Sequence, residues 1–326
     1  MRRSAVLLAA VLLSTGFAVP PASAADGDEG FTIKDPRITE SSGLAASRRH
    51  PGIFWTHNDQ DEGAYLYAVD GATGETVATV TMTGVGTPRD IEAIVVGPDD
   101  QLYVGDIGDN DGVAWDYVWV YRLPEPKELS DRTVRATQYV VKYSDGSRDA
   151  ESLLVHPRTG RVYIIDKQED GGHLYQGPAE LSPSGTNVFE PVAPVDLWAT
   201  DAALSPDGEQ LAVRGYFGGI AYDWNGGDIK RTGRLNVPLQ AQGESVTYSA
   251  DGTRLLFGSE GEQSPVEAED VPGGSGEEGA ESPSRNGDSA DGGGNGTDRA
   301  GLTTGAVAVA AACLALLGLR RLRRRR

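Results

Sequence analysis

The chain has 326 residues, with 48 acidic against 29 basic side chains, a net charge of −19 and one cysteine. Such a balance argues against nucleic acid or an anionic surface as partner. The single cysteine, Cys313, excludes an internal disulfide, thiol chemistry and a cysteine zinc site.

In chain order, Arg2 and Arg3 precede an apolar run from Ala5 to Val19, and Ala22-Ser23-Ala24 supplies small residues for cleavage. This order predicts a secretory signal peptide over residues 1–24. A strand-rich domain is expected over residues 25–261. Five segments in it open alike: Ser42-Gly-Leu-Ala-Ala-Ser, Glu92-Ala-Ile-Val-Val-Gly, Glu151-Ser-Leu-Leu-Val-His, Thr200-Asp-Ala-Ala-Leu-Ser and Glu244-Ser-Val-Thr-Tyr-Ser. Each passes from an oxygen-bearing residue through an apolar run to a turn, and a second apolar strand follows: Ile53 to Thr56, Leu102 to Gly105, Val162 to Ile165, Leu211 to Arg214 and Leu255 to Gly258. The lead residues recur after 50, 59, 49 and 44 positions. A period of about 40 to 50 residues built from strands and turns marks a β-propeller.

Third and fourth strands are predicted at Tyr65 to Val69 and Thr76 to Val80, Tyr117 to Leu123 and Val134 to Tyr143, Leu174 to Gly177 and Val188 to Val192, and Ile220 to Trp224 and Leu235 to Val237. The fifth repeat runs short, with Pro265 to Val271 as a worn last strand, and Phe31-Thr-Ile33 is expected to close the ring as an outer strand. The fold class is thus all-β, a five-bladed propeller, with six blades as the alternative. Trp55, Trp119, Trp198 and Trp224 are expected to pack between blades.

Residues 262–300 are Gly, Ser, acidic and Pro with scarcely an apolar side chain, which predicts a disordered linker. Residues 301–319 read as a transmembrane helix, and the Arg-rich tail 320–326 stays cytoplasmic. The expected location is therefore the cell membrane, single-pass, with an extracellular propeller. A monomer is expected.

In a propeller, the start of each first strand and the loop after each second strand emerge on one face. Ser42, Glu92, Glu151, Thr200 and Glu244 should then ring the channel mouth. Carboxylates that close repel unless a positive group sits among them, and Ca2+, with a flexible shell of six to eight oxygens, answers this better than magnesium. The loops after the second strands add Asp59, Asp61 and Asp106, which could position water, with Lys167 and Arg214 as the cations placed to hold a phosphate or carboxylate. Ordinary turn and solvated residues are the plain alternative for each. No serine-hydrolase elbow, phosphate loop or histidine zinc array is present.

On the order Ser42, Glu92, Glu151, Thr200, Glu244, and on Glu92-Ala-Ile-Val-Val followed by Leu102-Tyr-Val-Gly105, the chain resembles the soluble calcium-activated nucleotidases, or apyrases. Those are five-bladed propellers whose channel ligands run Ser, Glu, Glu, Ser, Glu; Thr200 replaces the second Ser here. The likeness spans the blade pattern from about residue 38 to 260. It implies the same fold and a central calcium, and places Asp59 and Asp61 about where that family carries catalytic aspartates. In Glu40-Ser-Ser-Gly-Leu and Gly105-Asp-Ile-Gly-Asp-Asn110 the chain resembles secreted actinobacterial propeller proteins, and it is also similar to phytase-like and esterase-like propellers. Two functions are carried forward: a binder of a small-molecule or envelope ligand at the top face, and a calcium-dependent hydrolase of phosphorylated small molecules.

Overall fold

The computed structural model describes residues 28–59, 63–110 and 113–272. The expected signal peptide, membrane helix and Arg-rich tail lie outside them, as does most of the expected linker. No described helix is long and apolar enough to cross a membrane.

The described chain holds no α-helix. It opens with β1 (Gly30–Thr32). The first repeat forms β2 (Ser41–Ala46), β3 (Ile53–Asn58), β4 (Tyr65–Asp70) and β5 (Thr76–Thr83). The second forms β6 (Ile91–Val96), β7 (Gln101–Asp106), β8 (Val118–Pro124), β9 (Arg132–Arg135) and β10 (Thr137–Tyr143). The third contributes β11 (Ala150–Val155), β12 (Val162–Asp166), β13 (Gly172–Gln176) and β14 (Thr186–Val195). The fourth contributes β15 (Ala199–Leu204), β16 (Gln210–Gly215), β17 (Gly218–Asn225) and β18 (Asp228–Leu235), and the fifth β19 (Gly243–Tyr248), β20 (Arg254–Ser259) and β21 (Pro265–Asp270).

Each repeat is an antiparallel meander that starts on the inside. The five inner strands pack side by side in a closed circuit: β2 on β6, β6 on β11, β11 on β15, β15 on β19, and β19 on β2. Five apolar cores fill the wedges between neighbouring sheets. Trp55, Leu66 and Val80 meet Ile94 and Tyr121 in the first wedge, and Tyr139 and Val141 meet Leu153 and Phe189 in the second. Tyr163 and Ile165 meet Val213 and Trp224 in the third; Ala212 and Leu235 meet Val246 and Phe257 in the fourth. Phe54 and Tyr67 meet Leu256 and Val266 in the fifth, which closes the circuit. The apolar alternation of each strand feeds both wedges it borders, so no sheet has a bare face.

Three points depart from the sequence expectation. The stretch Val134–Tyr143 is two strands, parted at Ala136: β9 crosses to pair in parallel with β5, while β10 stays with β8. The amide of Ala136 donates to Thr83 O at 2.7 Å and marks the crossing. Leu235 to Val237 is the end of the fourth strand rather than its body, because the polar β18 pairs with β17 from Asn225↔Asp228 onward. Third, the domain runs past residue 261: β21 forms where the worn last strand is expected, over Pro265 to Val271, inside the span 262–300 assigned to the linker, and β1 pairs with it antiparallel, Phe31 opposite Val266. The fifth sheet therefore gains its outer strand from β1, as expected of Phe31 to Ile33.

On the face opposite the lead residues, the turns repeat too. Ser205 Oγ accepts from the amide of Gln210 at 2.9 Å and Ser249 Oγ from that of Arg254 at 3.0 Å. Gly208 and Gly252 sit at φ +71° and +76°, a left-handed conformation that glycine adopts without strain.

Removing residues 25–33 would bare the β21 edge and take away Ile33, which is 1% exposed. The thermal midpoint is expected to fall by about 5 °C or more, at about 2–4 °C per kcal/mol for a domain of this size. An unchanged melting curve would show that the closing strand carries no stability.

Candidate functional site

Every lead residue sits at a register shift between its inner strand and the second strand. The ladder skips Ser42 and Gly43 between Ser41 and Leu44, Glu92 between Ile91 and Ala93, Glu151 between Ala150 and Ser152, Thr200 between Ala199 and Asp201, and Glu244 between Gly243 and Ser245. A bulge leaves its residue out of the ladder and re-aims the side chain. All five leads are buried.

The chain after each second strand is drawn against the chain entering the inner strand. Asp59 N donates to Glu40 O at 2.9 Å, Lys167 N to Asp149 O at 2.8 Å and Glu260 N to Gln242 O at 2.9 Å, each acceptor two residues before a lead; Gly108 N reaches Asp90 O at 3.2 Å in the second repeat. Side chains reinforce the contact. Asn58 Oδ1 accepts from the amides of Thr39 and Glu40, both at 3.1 Å. Asp106 accepts from the amides of Arg89 and Asp90 and from Tyr121 Oη at 2.6 Å. These latches set a second tier beside the leads, in which Asp59, Lys167, Tyr216 and Glu260 follow the ends of their second strands.

The tiers meet in a buried charge cluster. One carboxylate oxygen each from Asp59, Asp90 and Glu92 lie within 4.8 Å of one another. Ser42 Oγ donates to Glu92 Oε2 at 3.2 Å, and Asn110 Nδ2 donates to Asp90 Oδ2 at 3.3 Å and Glu92 Oε1 at 3.4 Å. Gly108 makes room for them: a Cβ there would stand 2.6 Å from Asp90 Oδ2 and 2.7 Å from Glu92 Oε1. Across the mouth, Lys167 Nζ pairs with Glu151 Oε1 and lies 5.3 Å from the centre of the Tyr216 ring. Gln242 Nε2 donates to Glu244 Oε1 at 3.1 Å and to Glu260 Oε2 at 2.6 Å.

Burial, followed by the charges of Asp59, Glu151 and Asp90, pushes the Glu92 carboxyl well above its ordinary range. Asp59 moves the same way, through burial first and then Asp90, Glu260 and Glu151. Glu151 is also raised, burial outweighing the relief from Lys167. Burial alone would lower the Lys167 ammonium, but Glu151, then Tyr216, Glu244 and Glu92, hold it well above its ordinary value. Two like charges about 4 Å apart repel by about 4 kcal/mol at an effective dielectric of ~20. Lys167 offsets this on one side; on the other, Asp59, Asp90 and Glu92 need a proton or a cation.

The ten residues expected at the site sort accordingly. Ser42, Glu92, Glu151, Thr200 and Glu244 occupy equivalent places, yet Thr200 Oγ1 turns to Gly243 O at 3.3 Å and Glu151 is engaged by Lys167. Asp59 joins the triad, and Asp61 lies outside the described residues. Two roles are corrected. Asp106 is fully buried and spends its oxygens on Tyr121 and the entering loop, so it orients Asp90 and does not reach water at the mouth. Arg214 is fully buried, with Nη1 on Ser245 O at 2.7 Å and Gly258 O at 2.6 Å and Nη2 on Gln240 Oε1 at 2.6 Å. Its guanidinium, which burial brings down to about 10, stitches the fourth sheet to the fifth.

Asp90 is the functional residue that sequence reading missed. Its signal is the position two before the lead, polar in four of five repeats: Glu40, Asp90, Asp149 and Gln242, against Trp198 in the fourth.

No family model and no curated protein matches this chain. Among solved structures it is similar to the soluble aldose sugar dehydrogenase of Escherichia coli, at 11% identity and a TM-score of 0.47, covering 74% of this chain and 99% of that one. A putative 6-phosphogluconolactonase from Bacteroides uniformis is similar at 14% identity and a TM-score of 0.41, with 73% and 69% covered. The RRP9 WD40 repeats are similar at 10% identity and a TM-score of 0.42, with 76% and 99% covered.

Because Glu92, Asp59 and Glu151 hold their protons more tightly folded than unfolded, the chelated protein should lose stability as pH rises from about 4.5 through their raised folded values. Thermal melts in chelator between pH 5 and 8 check this, and Glu92→Gln should flatten the slope. A slope of opposite sign, or one that Glu92→Gln leaves intact, would show that the cluster is already neutralised.

Proposed function

We propose that this is a five-bladed β-propeller whose channel mouth binds a hard divalent cation, calcium by preference. In this reading the domain is an extracytoplasmic binding module, tethered to the cell membrane by residues 301–319, which takes its ligand on the face that carries the mouth. The observation that carries the cation is the buried triad Asp59, Asp90 and Glu92, with Ser42 Oγ beside it. Its donors are all oxygen, which suits calcium and leaves coordination to be completed by backbone carbonyls and water. The space beside Gly108 fits the same reading, since a methyl group there would occupy the place where two of the carboxylates converge. When bound, the cation supplies the positive charge that lets all three carboxylates ionise together. The protein's own groups hold the oxygens in place: Asn110 braces Asp90 and Glu92, and Asp106 fixes the backbone that carries Asp90.

A binder is favoured over a calcium-dependent phosphohydrolase because three groups that hydrolysis would draw on are already engaged within the protein. Arg214 lies within the seam of two sheets, Asp106 is closed over by Tyr121, and Lys167 is engaged by Glu151.

Calcium should raise the thermal midpoint of the purified protein and be found at about one ion per chain by bound-metal analysis. Glu92→Gln and Asp90→Asn are each expected to weaken calcium binding at least tenfold, or about 1.4 kcal/mol. Affinity should fall as pH is lowered, since the carboxylates must shed protons to bind. Wild-type affinity in both variants would end the cation assignment.

Gly108→Ala is expected to abolish the calcium-induced shift in midpoint while leaving the chelated protein folded. A phosphate-release assay over nucleotides and phytate, with and without chelator, should show no turnover. Calcium-dependent release would replace the binding module with the hydrolase.

A further inference from the structure

On the same face, outside the mouth, a cleft of about 500 Å³ opens on the fourth sheet. Its size lies within the ~300–1,000 Å³ typical of small-molecule sites. One wall is aromatic. Trp198, on the loop entering β15, meets Tyr216 edge-on with ring centres 5.2 Å apart and planes at 79°. Phe217, at the tip of the β16–β17 hairpin, lines the cleft and stays 62% exposed. This corrects the packing role expected of Trp198, which belongs to none of the five wedge cores among the described residues.

The opposite wall is cationic. Arg231 and Arg234, on β18, line the cleft and are exposed. Among the described residues neither guanidinium makes a hydrogen bond or salt bridge, whereas Arg37, Arg49, Arg148, Arg158 and Arg254 all pair with carboxylates. Asp196 also lines the cleft but makes no ion pair with either arginine, so two cations stand against one carboxylate there, and in a chain of net charge −19 this local positive excess beside an aromatic wall marks a place for an anion from outside. Gly218 also lines the cleft, and a Cβ there would meet nothing within 4 Å, so there is room for a side chain at this position.

We propose that this cleft is a binding site for a small molecule joining a planar aromatic ring to an anionic group, carboxylate or phosphate. The ring lies against Trp198, Tyr216 and Phe217, and the anion meets Arg231 and Arg234. The proposal goes beyond the cation reading and does not depend on it, because no residue of the cleft belongs to the triad. Tyr216 is nonetheless shared, since its ring also faces Lys167 at 5.3 Å.

Calorimetric titration of the full-length protein in chelator, with phenyl phosphate and benzoate as probes and phenol and inorganic phosphate as controls, tests it. Saturable binding of at least one aryl anion is expected, tighter than either control by tenfold or more; the better probe identifies the anionic group. Arg231→Ala combined with Arg234→Ala should weaken that binding at least tenfold with an unchanged thermal midpoint. Gly218→Leu should block it, and the room at Gly218 lets the variant fold. No saturable binding of either aryl anion, equal binding of phenol, or full binding by the variants would each overturn the proposal. Because calcium is absent throughout, failure here leaves the cation reading standing, and the reverse holds as well.

Discussion

Buried charge of one sign has to be neutralised, and this fold gathers such charge on its axis. Asp59, Asp90, Glu92 and Glu151 reach the mouth from the first three repeats and are removed from water by the sheets that deliver them. Lys167 is the protein's own answer on one side, a tethered ammonium that Glu151 holds in place. The triad on the other side brings three carboxylates together, and this asymmetry decides where an added cation has work to do. The cluster does not come from a tight loop or a helix end. It follows from five bulges in register, each turning one side chain out of its ladder at the same height.

The polar loops that follow the second strands serve two ends, which composition alone does not separate. Asn58 and Asp106 spend their oxygens on backbone amides of the chain that enters the inner strand of their own repeat. Asp59 and Lys167, the residues just past the ends of β3 and β12, carry their side chains to the mouth. His57 belongs to the scaffold as well: it is fully buried, held neutral by burial that pushes its imidazole down to about 4, with Nδ1 against Asn58 O at 3.1 Å. The loops thus position the leads first and contribute chemistry second.

The repeat was legible in the sequence because the lead residue, apolar run and turn recur in one order, and strand alternation supplied most elements. The equivalence of Ser42, Glu92, Glu151, Thr200 and Glu244 was readable for the same reason. What could not be read was the direction in which a long polar side chain turns. Arg214 ends an apolar run as Asp106 and Lys167 follow theirs, but Gly243 leaves a gap beside it that draws the guanidinium inward; a Cβ on Gly243 would collide with Nη2. Asp90 escaped notice because its contribution depends on the latch from Asp106, a contact between the two open ends of the β6–β7 hairpin that strand alternation does not reveal. The split of Val134–Tyr143 was hidden likewise, since both halves read as strand and only their partners differ.

The crossing of β9 makes the second repeat a member of two sheets, and β10 extends the attachment to the third through its parallel pairing with β14. The first three units are therefore laced together along their outer rims by strand pairing, while the fourth and fifth meet their neighbours through side-chain packing, the buried Arg214 and single hydrogen bonds such as that from the Val246 amide to Asp201 Oδ2. The repeats have consequently ceased to be interchangeable. Excising the second would strip the first sheet of its edge strand β9 and leave β14 without its parallel partner.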